Sequence, residues 1–233
     1  MKTNSWLTPG RATMTNQPEG ATRRDVVVVP ARGASRRFGQ PKALAILADD
    51  PRAMVRRVVD LYAGTGWDAV LVVTTADLGP AIERLVADAP GVVVVTAPAG
   101  GDTARTLAEA WAALASRGEA WTHAWVHPVD MPHVAPATLA VLRDASGRAP
   151  RRQVRPAWHG RPGHPVVVPA TLAEALAGHA MNSDAPWREI VARAAGAGLV
   201  EEPVAVPVDD PGVVLDHDVR PRDDGVAGRT EDR

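Results

Sequence analysis

Cysteine is absent from the 233-residue chain, and phenylalanine and tyrosine occur once each. Without thiols, disulfides, thiolate metal sites and cysteine nucleophiles are excluded, so any metal has to be held by carboxylate, imidazole or water. Charge of one sign is also missing. The 26 lysines and arginines nearly balance 27 aspartates and glutamates, for a formal net charge of -1. That leaves no basic footprint for nucleic acid or for an anionic membrane surface, and neither is expected as a partner. No apolar run approaches the ~20 residues of a membrane span, and residues 1–24 lack the apolar middle of a secretory signal, all of which is compatible with a cytoplasmic home. What is present is a globular composition, 45% hydrophobic and 23% charged, which predicts a packed core. With so few phenylalanines and tyrosines, that core falls to valine, alanine and leucine and to some of the seven tryptophans.

Residues 1–24 mix Thr, Asn, Pro, Gly and Arg without periodicity, and residues 224–233 are similarly polar. Both read as flexible ends around one domain spanning 25–223. Inside it, short valine-rich runs at 25–30, 68–75, 91–97, 121–127, 164–169 and 203–208 alternate with longer Ala, Leu and Arg-rich stretches. Continuous β-branched runs of this length fit strands buried on both faces of a mostly parallel sheet. Helical spacing appears at 51–63, where Pro51 suits a first turn and Val55, Val58, Val59 and Tyr62 form one stripe. It recurs at 78–89 behind Asp77, at 104–117 behind Asp102 or Thr103, and at 137–145 behind Pro136. Strand followed by helix, repeated, predicts a doubly wound, Rossmann-like α/β sheet whose crevice lies beyond the carboxyl ends of its strands.

The loop after the first strand, residues 30–42, reads PARGASRRFGQPK. Gly33 and Gly39 let the backbone approach a ligand, Ser35 offers a hydroxyl, and Arg36, Arg37 and Lys42 offer positive charge. Such a loop suits a polyphosphate cradled by main-chain N–H groups, and it equally suits a solvated connection. It has neither the G-K-[ST] of a P-loop nor the G-x-G-x-x-G of a dinucleotide fold, which disfavours an oxidoreductase. Asp130, at a strand terminus in HPVDMPHVAPATL, reads as a Mg²⁺ ligand or as a turn aspartate. Asp216 and Asp218 alternate in VLDHDVRPRD and point the same way if extended, so a cation or water must answer their repulsion.

Spacing narrows these readings. Gly33, Ser35, Arg37, Gly39 and Lys42 form G-x-S-x-R-x-G-x-x-K, which resembles the signature of the nucleotidyltransferases related to molybdenum cofactor synthesis. That family usually carries L-A-A-G-x-S-x-R-M-G-x-x-K; here Arg32 replaces a small residue and Phe38 replaces Met. The D-x-P at Asp130 resembles the family's metal-binding aspartate, and Asp218 resembles the second aspartate of its terminal D-x-D-T-P-x-D, with the spacing to Asp223 one residue longer. Gly163-His164-Pro165 resembles the G-H-P of the molybdopterin cytidylyltransferase branch. Ser183 to Arg188 resembles its G-D-x-G-A-R, keeping Asp184 and Arg188 without the glycines, and GGDTARTL at 100–107 resembles the glycine-rich turn by which related cytidylyltransferases hold nucleotide.

The resemblance implies a Mg²⁺-dependent transfer of CMP from CTP to molybdopterin or its molybdenum-loaded form, releasing pyrophosphate. It implies Lys42, Arg37 and Asp130 as catalytic residues, and Ala31, Arg32, Gly33, Ala34, Ser35, Gly101, Thr103 and Arg105 at the nucleotide. His164, Asp184 and Arg188 fall to the acceptor, and Asp130 with Asp218 to the metal. Transient contact with a molybdoenzyme or its chaperone follows from the same resemblance. Arg32 and the altered 183–188 segment leave room for another phosphorylated acceptor, such as a sugar, alditol or natural-product phosphate. A non-catalytic nucleotide-binding protein of the same fold is the alternative from another class.

Overall fold

Asp25–Pro30 forms β1, in which Val26 to Val29 are at most 2% exposed. Alternate valines point to opposite faces, so a run of four can only be sealed by cover on both sides. The computed structural model supplies that cover; it describes residues 23–32, 39–63, 66–98, 103–118, 120–170, 172–173, 187–196 and 201–217. After β1 come a 3-10 turn at Lys42–Leu44, β2 (Ile46–Leu47), β3 (Asp50–Ala53), α1 (Met54–Tyr62), β4 (Ala69–Thr74), α2 (Gly79–Val86) and β5 (Val92–Thr96). There follow α3 (Thr103–Ser116), β6 (His123–Val126), α4 (Pro136–Arg148), β7 (Val154–Trp158), β8 (Arg161–Pro162) and β9 (Val166–Pro169). The described elements end with α5 (Trp187–Gly196), β10 (Val204–Pro207) and a 3-10 turn at Pro211–Val214.

The main sheet runs in the order β10-β7-β9-β6-β1-β4-β5, with β8 hooked onto β7. β1 pairs parallel with β4 and β6, β4 with β5, and β10 with β7, while β9 runs antiparallel to both of its neighbours. Helices cover both faces. Val26 and Val28 pack with Leu71, Leu107, Trp111, Leu114 and Val191, whereas Val27 and Val29 pack with Val55, Val58, Tyr62, Ile82 and Leu142. Each valine enclosed in this way contributes about 1.5–3 kcal/mol relative to exposure. The doubly wound, mostly parallel α/β fold read from the sequence is the observed one. Among the described residues no helix is long and apolar enough to cross a membrane.

Several local expectations are corrected. Pro51 does not open a helix: Asp50–Ala53 pairs antiparallel with Ile46–Leu47, and α1 starts only at Met54, whose N–H reaches the Ala45 carbonyl at 2.8 Å. Asp77 caps nothing among the described residues; Leu78 holds the N-cap position of α2, and the Leu78 and Gly79 N–H groups bond the Thr75 carbonyl. Strand β7, which carries arginine and proline in VRPAW, is not among the valine-rich runs. Its pairing with β9 is confined to Val154↔Val167, which leaves room for Pro156 beyond it.

The segment after β10 is fastened to the rest by Asp210. Its carboxylate accepts from Gly212 N at 2.9 Å, from Ala135 N at 2.9 Å and from the Thr138 hydroxyl at 2.7 Å, so it caps the 3-10 turn and the head of α4 together. The packing is backbone against backbone: a Cβ at Gly163 would meet the Val213 carbonyl oxygen at 2.1 Å, and one at Gly212 would meet the His133 carbonyl oxygen at 2.2 Å. Glycine is therefore required at 163 for close approach rather than for an unusual dihedral angle. Gly163→Ala is expected to lower stability by about 2–3 kcal/mol in chemical denaturation, the cost of overpacking; wild-type stability in that variant would show that the two turns do not pack this closely.

Candidate functional site

Strands β4, β1 and β6 are parallel neighbours, so their carboxyl ends form one crest. Residues leaving β1 are held there by the backbone. Ala31 N donates to the Val73 carbonyl at 2.8 Å, and the Thr74 hydroxyl donates to the Ala31 carbonyl at 3.2 Å. Ala31 and Arg32 are both buried at this strand end. The loop returns through Gly39, whose φ of 76° lies in the left-handed region that glycine enters without strain, and reaches the 3-10 turn that begins at Lys42.

Over the crest, Lys42 Nζ donates to Asp130 Oδ2 at 2.7 Å, joining the end of the β1 loop to the end of the β6 loop. Both side chains are largely enclosed, 13% and 22% exposed. Among the described residues, Lys42 alone bonds the Asp130 carboxylate, and no group of three metal-ligating side chains occurs. An oxygen donor of this kind fits a hard divalent cation, which takes one or two carboxylates with other oxygen donors and water.

The Asp130 loop is held from below and from the side. Below it, His127 is fully buried and bonds the Met131 carbonyl through Nε2 at 2.9 Å. A carbonyl only accepts, so the ring proton is on Nε2, and Nδ1 accepts the Tyr62 hydroxyl at 2.7 Å. Burial pushes the His127 imidazole down to about 4, which keeps the ring neutral and this donor pattern intact. Tyr62 also meets Trp67 edge-on at 5.1 Å, and Trp67 meets Trp125 at 4.5 Å, so the relay stands on a rigid aromatic floor.

From the side, Arg57 donates to His133 Nδ1 at 3.2 Å, which leaves the His133 proton on Nε2 to be donated to His217 Nε2 at 2.8 Å. Asp49 closes the row, taking Arg57 at 3.0 and 3.1 Å. Burial holds both imidazoles below their ordinary range, with the Arg57 charge adding to the effect at His133. The His217 N–H donates to the Asp130 carbonyl at 3.1 Å, so the chain immediately before Asp218 is tied to the Asp130 loop. From sequence Tyr62 reads only as part of an apolar helical stripe, and His127, His133, His217 and Arg57 carry no assigned role. The only signal was the pair of histidines flanking Asp130 in HPVDMPH and the one between two aspartates in LDHD.

His164 stands at the head of β9, one strand beyond β6. Its N–H donates to the Val213 carbonyl at 2.8 Å and its Nδ1 faces the Val126 carbonyl at 3.4 Å. Burial, with the Arg155 charge adding to it, keeps the ring below the usual imidazole range. At the opposite end of the crest α3 begins beyond β5, with Thr103 at its first turn and Arg105 exposed. Lys42, Asp130, Ala31, Arg32 and His164 thus gather along one crest. Gly33, Ala34, Ser35, Arg37, Gly101, Asp184 and Asp218 lie outside the described residues, as do the side chains of Thr103 and Arg188.

A mostly parallel α/β sheet of this kind places a ligand crevice beyond the carboxyl ends of its strands, and the lysine–aspartate pair stands at that crevice. The chain belongs to the MobA-like NTP transferase domain family, a nucleotidyltransferase family whose pattern matches residues 27–198. No curated protein matches the sequence significantly. Among solved structures, Rv0371c of Mycobacterium tuberculosis H37Rv is 26% identical, superimposes with a TM-score of 0.62, and the match covers 85% of this chain and 94% of that one. The same protein in complex with manganese is 24% identical with a TM-score of 0.56, covering 80% and 90%. A nucleotidyl transferase from Methanothermobacter is 18% identical with a TM-score of 0.65, covering 85% and 93%. Molybdopterin-guanine dinucleotide biosynthesis protein A from Archaeoglobus fulgidus is 19% identical with a TM-score of 0.56, covering 79% and 84%.

The neutral His127 relay carries a pH dependence. Its folded-state value lies below the ordinary 6.5, so its stability contribution is complete above about 6.5 and is lost as pH falls through about 4. The loss is on the order of 3 kcal/mol for a shift of this size. His127→Gln keeps a donor for Met131 and an acceptor for Tyr62 without titrating. Chemical denaturation of this variant is expected to show a shallower fall in stability between pH 6.5 and pH 4, and an unchanged fall would mean that His127 is not held neutral.

Proposed function

We propose that the protein transfers CMP from CTP to the phosphate of molybdopterin, or of its molybdenum-loaded form, and releases pyrophosphate. The observation that carries a transfer reaction at this crest is the Lys42–Asp130 pair, enclosed between the β1 and β6 loops of a chain in an NTP transferase family. The choice of CTP and molybdopterin rests on the Gly163-His164-Pro165 resemblance.

In this reading the acceptor phosphate oxygen attacks the α-phosphorus of the nucleotide. The bond from that phosphorus to the bridging oxygen breaks, and pyrophosphate leaves with the electron pair. The protein needs no covalent nucleophile; it aligns two anions and offsets their repulsion. Gly33, Ala34 and Ser35 would cradle the triphosphate, with Ala31 and Arg32 on the base side and Gly101, Thr103 and Arg105 reaching in from the β5 end. Lys42 would exchange its bond to Asp130 for the β and γ oxygens, assisted by Arg37. Asp130 and Asp218 would hold Mg²⁺. The bond from His217 N–H to the Asp130 carbonyl supports this sharing, because consecutive Cα atoms are only about 3.8 Å apart. The manganese complex of Rv0371c supports divalent-metal use in this fold. When bound, the cation supplies charge neutralisation across the phosphates. His164, Asp184 and Arg188 would receive the acceptor. The product would pass in the cytoplasm to a molybdoenzyme or its chaperone.

Pyrophosphate release, measured with Mg²⁺ and each of CTP, GTP, ATP and UTP with and without molybdopterin, is expected only with CTP and molybdopterin together. Asp130→Asn and Lys42→Met are expected to reduce that rate by about a hundredfold or more, as loss of a charge partner to the transition state does, with unchanged circular dichroism. Full activity in Asp130→Asn would overturn the metal assignment, and release with another nucleotide would overturn the choice of CTP.

A further inference from the structure

Most half-buried arginines in this protein meet a carboxylate. Arg23 and Arg143 share Asp25, Arg56 holds Asp60 and Asp88, and Arg57 holds Asp49. Arg155 is different. It sits on β7 with its Nε sealed from solvent and without a hydrogen-bond partner, and among the described residues it forms no ion pair. A guanidinium taken partly out of water without a counter-charge is costly, and an anionic ligand removes that cost. Its planar fork matches the oxygens of a phosphate.

The position of Arg155 says which phosphate. β7 and β9 are neighbours, and the Gly163 N–H bonds back to the Pro156 carbonyl at 2.8 Å, which brings the His164 turn beside the Arg155 segment. Along the sheet the order runs from Lys42 and Asp130, over β1 and β6, to His164 on β9 and Arg155 on β7. Arg155 is thus on the side of the crest away from the nucleotide loop.

A groove lies farther along the same strand. Arg155 pairs in register with Ala205 of β10, and Ala157 follows two residues on along the same face. Ala157 and Ala205 line an open cavity of about 600 Å³ with Trp158, His159, Pro207 and Asp209. The turn at its mouth is a two-residue hairpin, His159-Gly160, with φ of 47° and 76°; it joins the paired residues Trp158 and Arg161 and presents the Trp158 ring against His159 at 4.6 Å.

We propose that Arg155 binds the phosphate of the acceptor and that the acceptor is a phosphate monoester with a flat, apolar body lying in the groove beside Trp158. This rests on the nucleotidyl-transfer reading and adds to it a binding residue and a ligand class on the β7–β10 side.

The test uses the full-length protein without nucleotide. The His164 ring resonance, assigned with His164→Asn, is followed by NMR while inorganic phosphate or phenyl phosphate is added. Both should move it, with phenyl phosphate binding several-fold more tightly because its ring enters the groove. Arg155→Met should weaken both by about tenfold or more, a loss expected when a charge-assisted phosphate contact is removed. Arg155→Lys should restore part of the binding, and Trp158→Ala should remove the advantage of phenyl phosphate. A His164 resonance that does not move, or equal binding in Arg155→Met, would overturn the assignment of Arg155. Phenyl phosphate binding no better than inorganic phosphate would overturn the groove. Because nucleotide takes no part, failure here leaves pyrophosphate release standing, and failure of pyrophosphate release leaves this binding measurement standing.

Discussion

Everything at the crest depends on the enclosure of β1 between two parallel neighbours. Val26 to Val29 are buried on both faces, and the register to β4 and β6 is continuous, Val28 lying opposite Leu71 on one side and Val126 on the other. A slip of one residue would exchange the two sets of valines between helix layers with different partners. Because the register is fixed in this way, the loops leaving β1 and β6 emerge at the same height, and a lysine and an aspartate 88 residues apart meet at 2.7 Å.

On this frame the polar groups form two relays of fixed hydrogen-bond direction. Tyr62 to His127 to the Met131 carbonyl stiffens the loop from beneath. Arg57 to His133 to His217 ties the C-terminal segment to it from the side. Both use neutral histidine as an acceptor on one nitrogen and a donor on the other, which serine or lysine cannot do across the same span. Asp210 adds a third tie, joining the terminal 3-10 turn to the head of α4 through three bonds to one carboxylate. The terminal segment is thus as much a part of the site as the loop after β1.

The charge layout divides the crest. Over β1 and β6 a lysine is balanced by an aspartate; in the proposed reaction a triphosphate with its cation would rearrange that pair without leaving a bare charge. Over β7 the Arg155 guanidinium has no such balance among the described residues. Under the proposed function, one side would exchange partners and the other would capture an anion.

The valine runs and helical stripes made the α/β class legible, because burial on two faces and a 3.6-residue period both leave marks in a single sequence. Lys42 and Asp130 were legible because their neighbours form a spaced pattern. The hairpin of β2 and β3, strand β7 and the histidine relays were not. Pro51 reads as a helix opener until Ile46–Leu47 is seen beside it, and Pro156 argues against a strand until the divergence of β9 is known. The role of His217 depends on a partner 84 residues away. Local sequence by itself determined the central valine strands and the striped helices, because these follow from short-range sterics and from periodic burial. Only the tertiary structure decided which charges are paired and which, like Arg155, find no carboxylate among the described residues, because pairing depends on distances between strands that are remote in sequence.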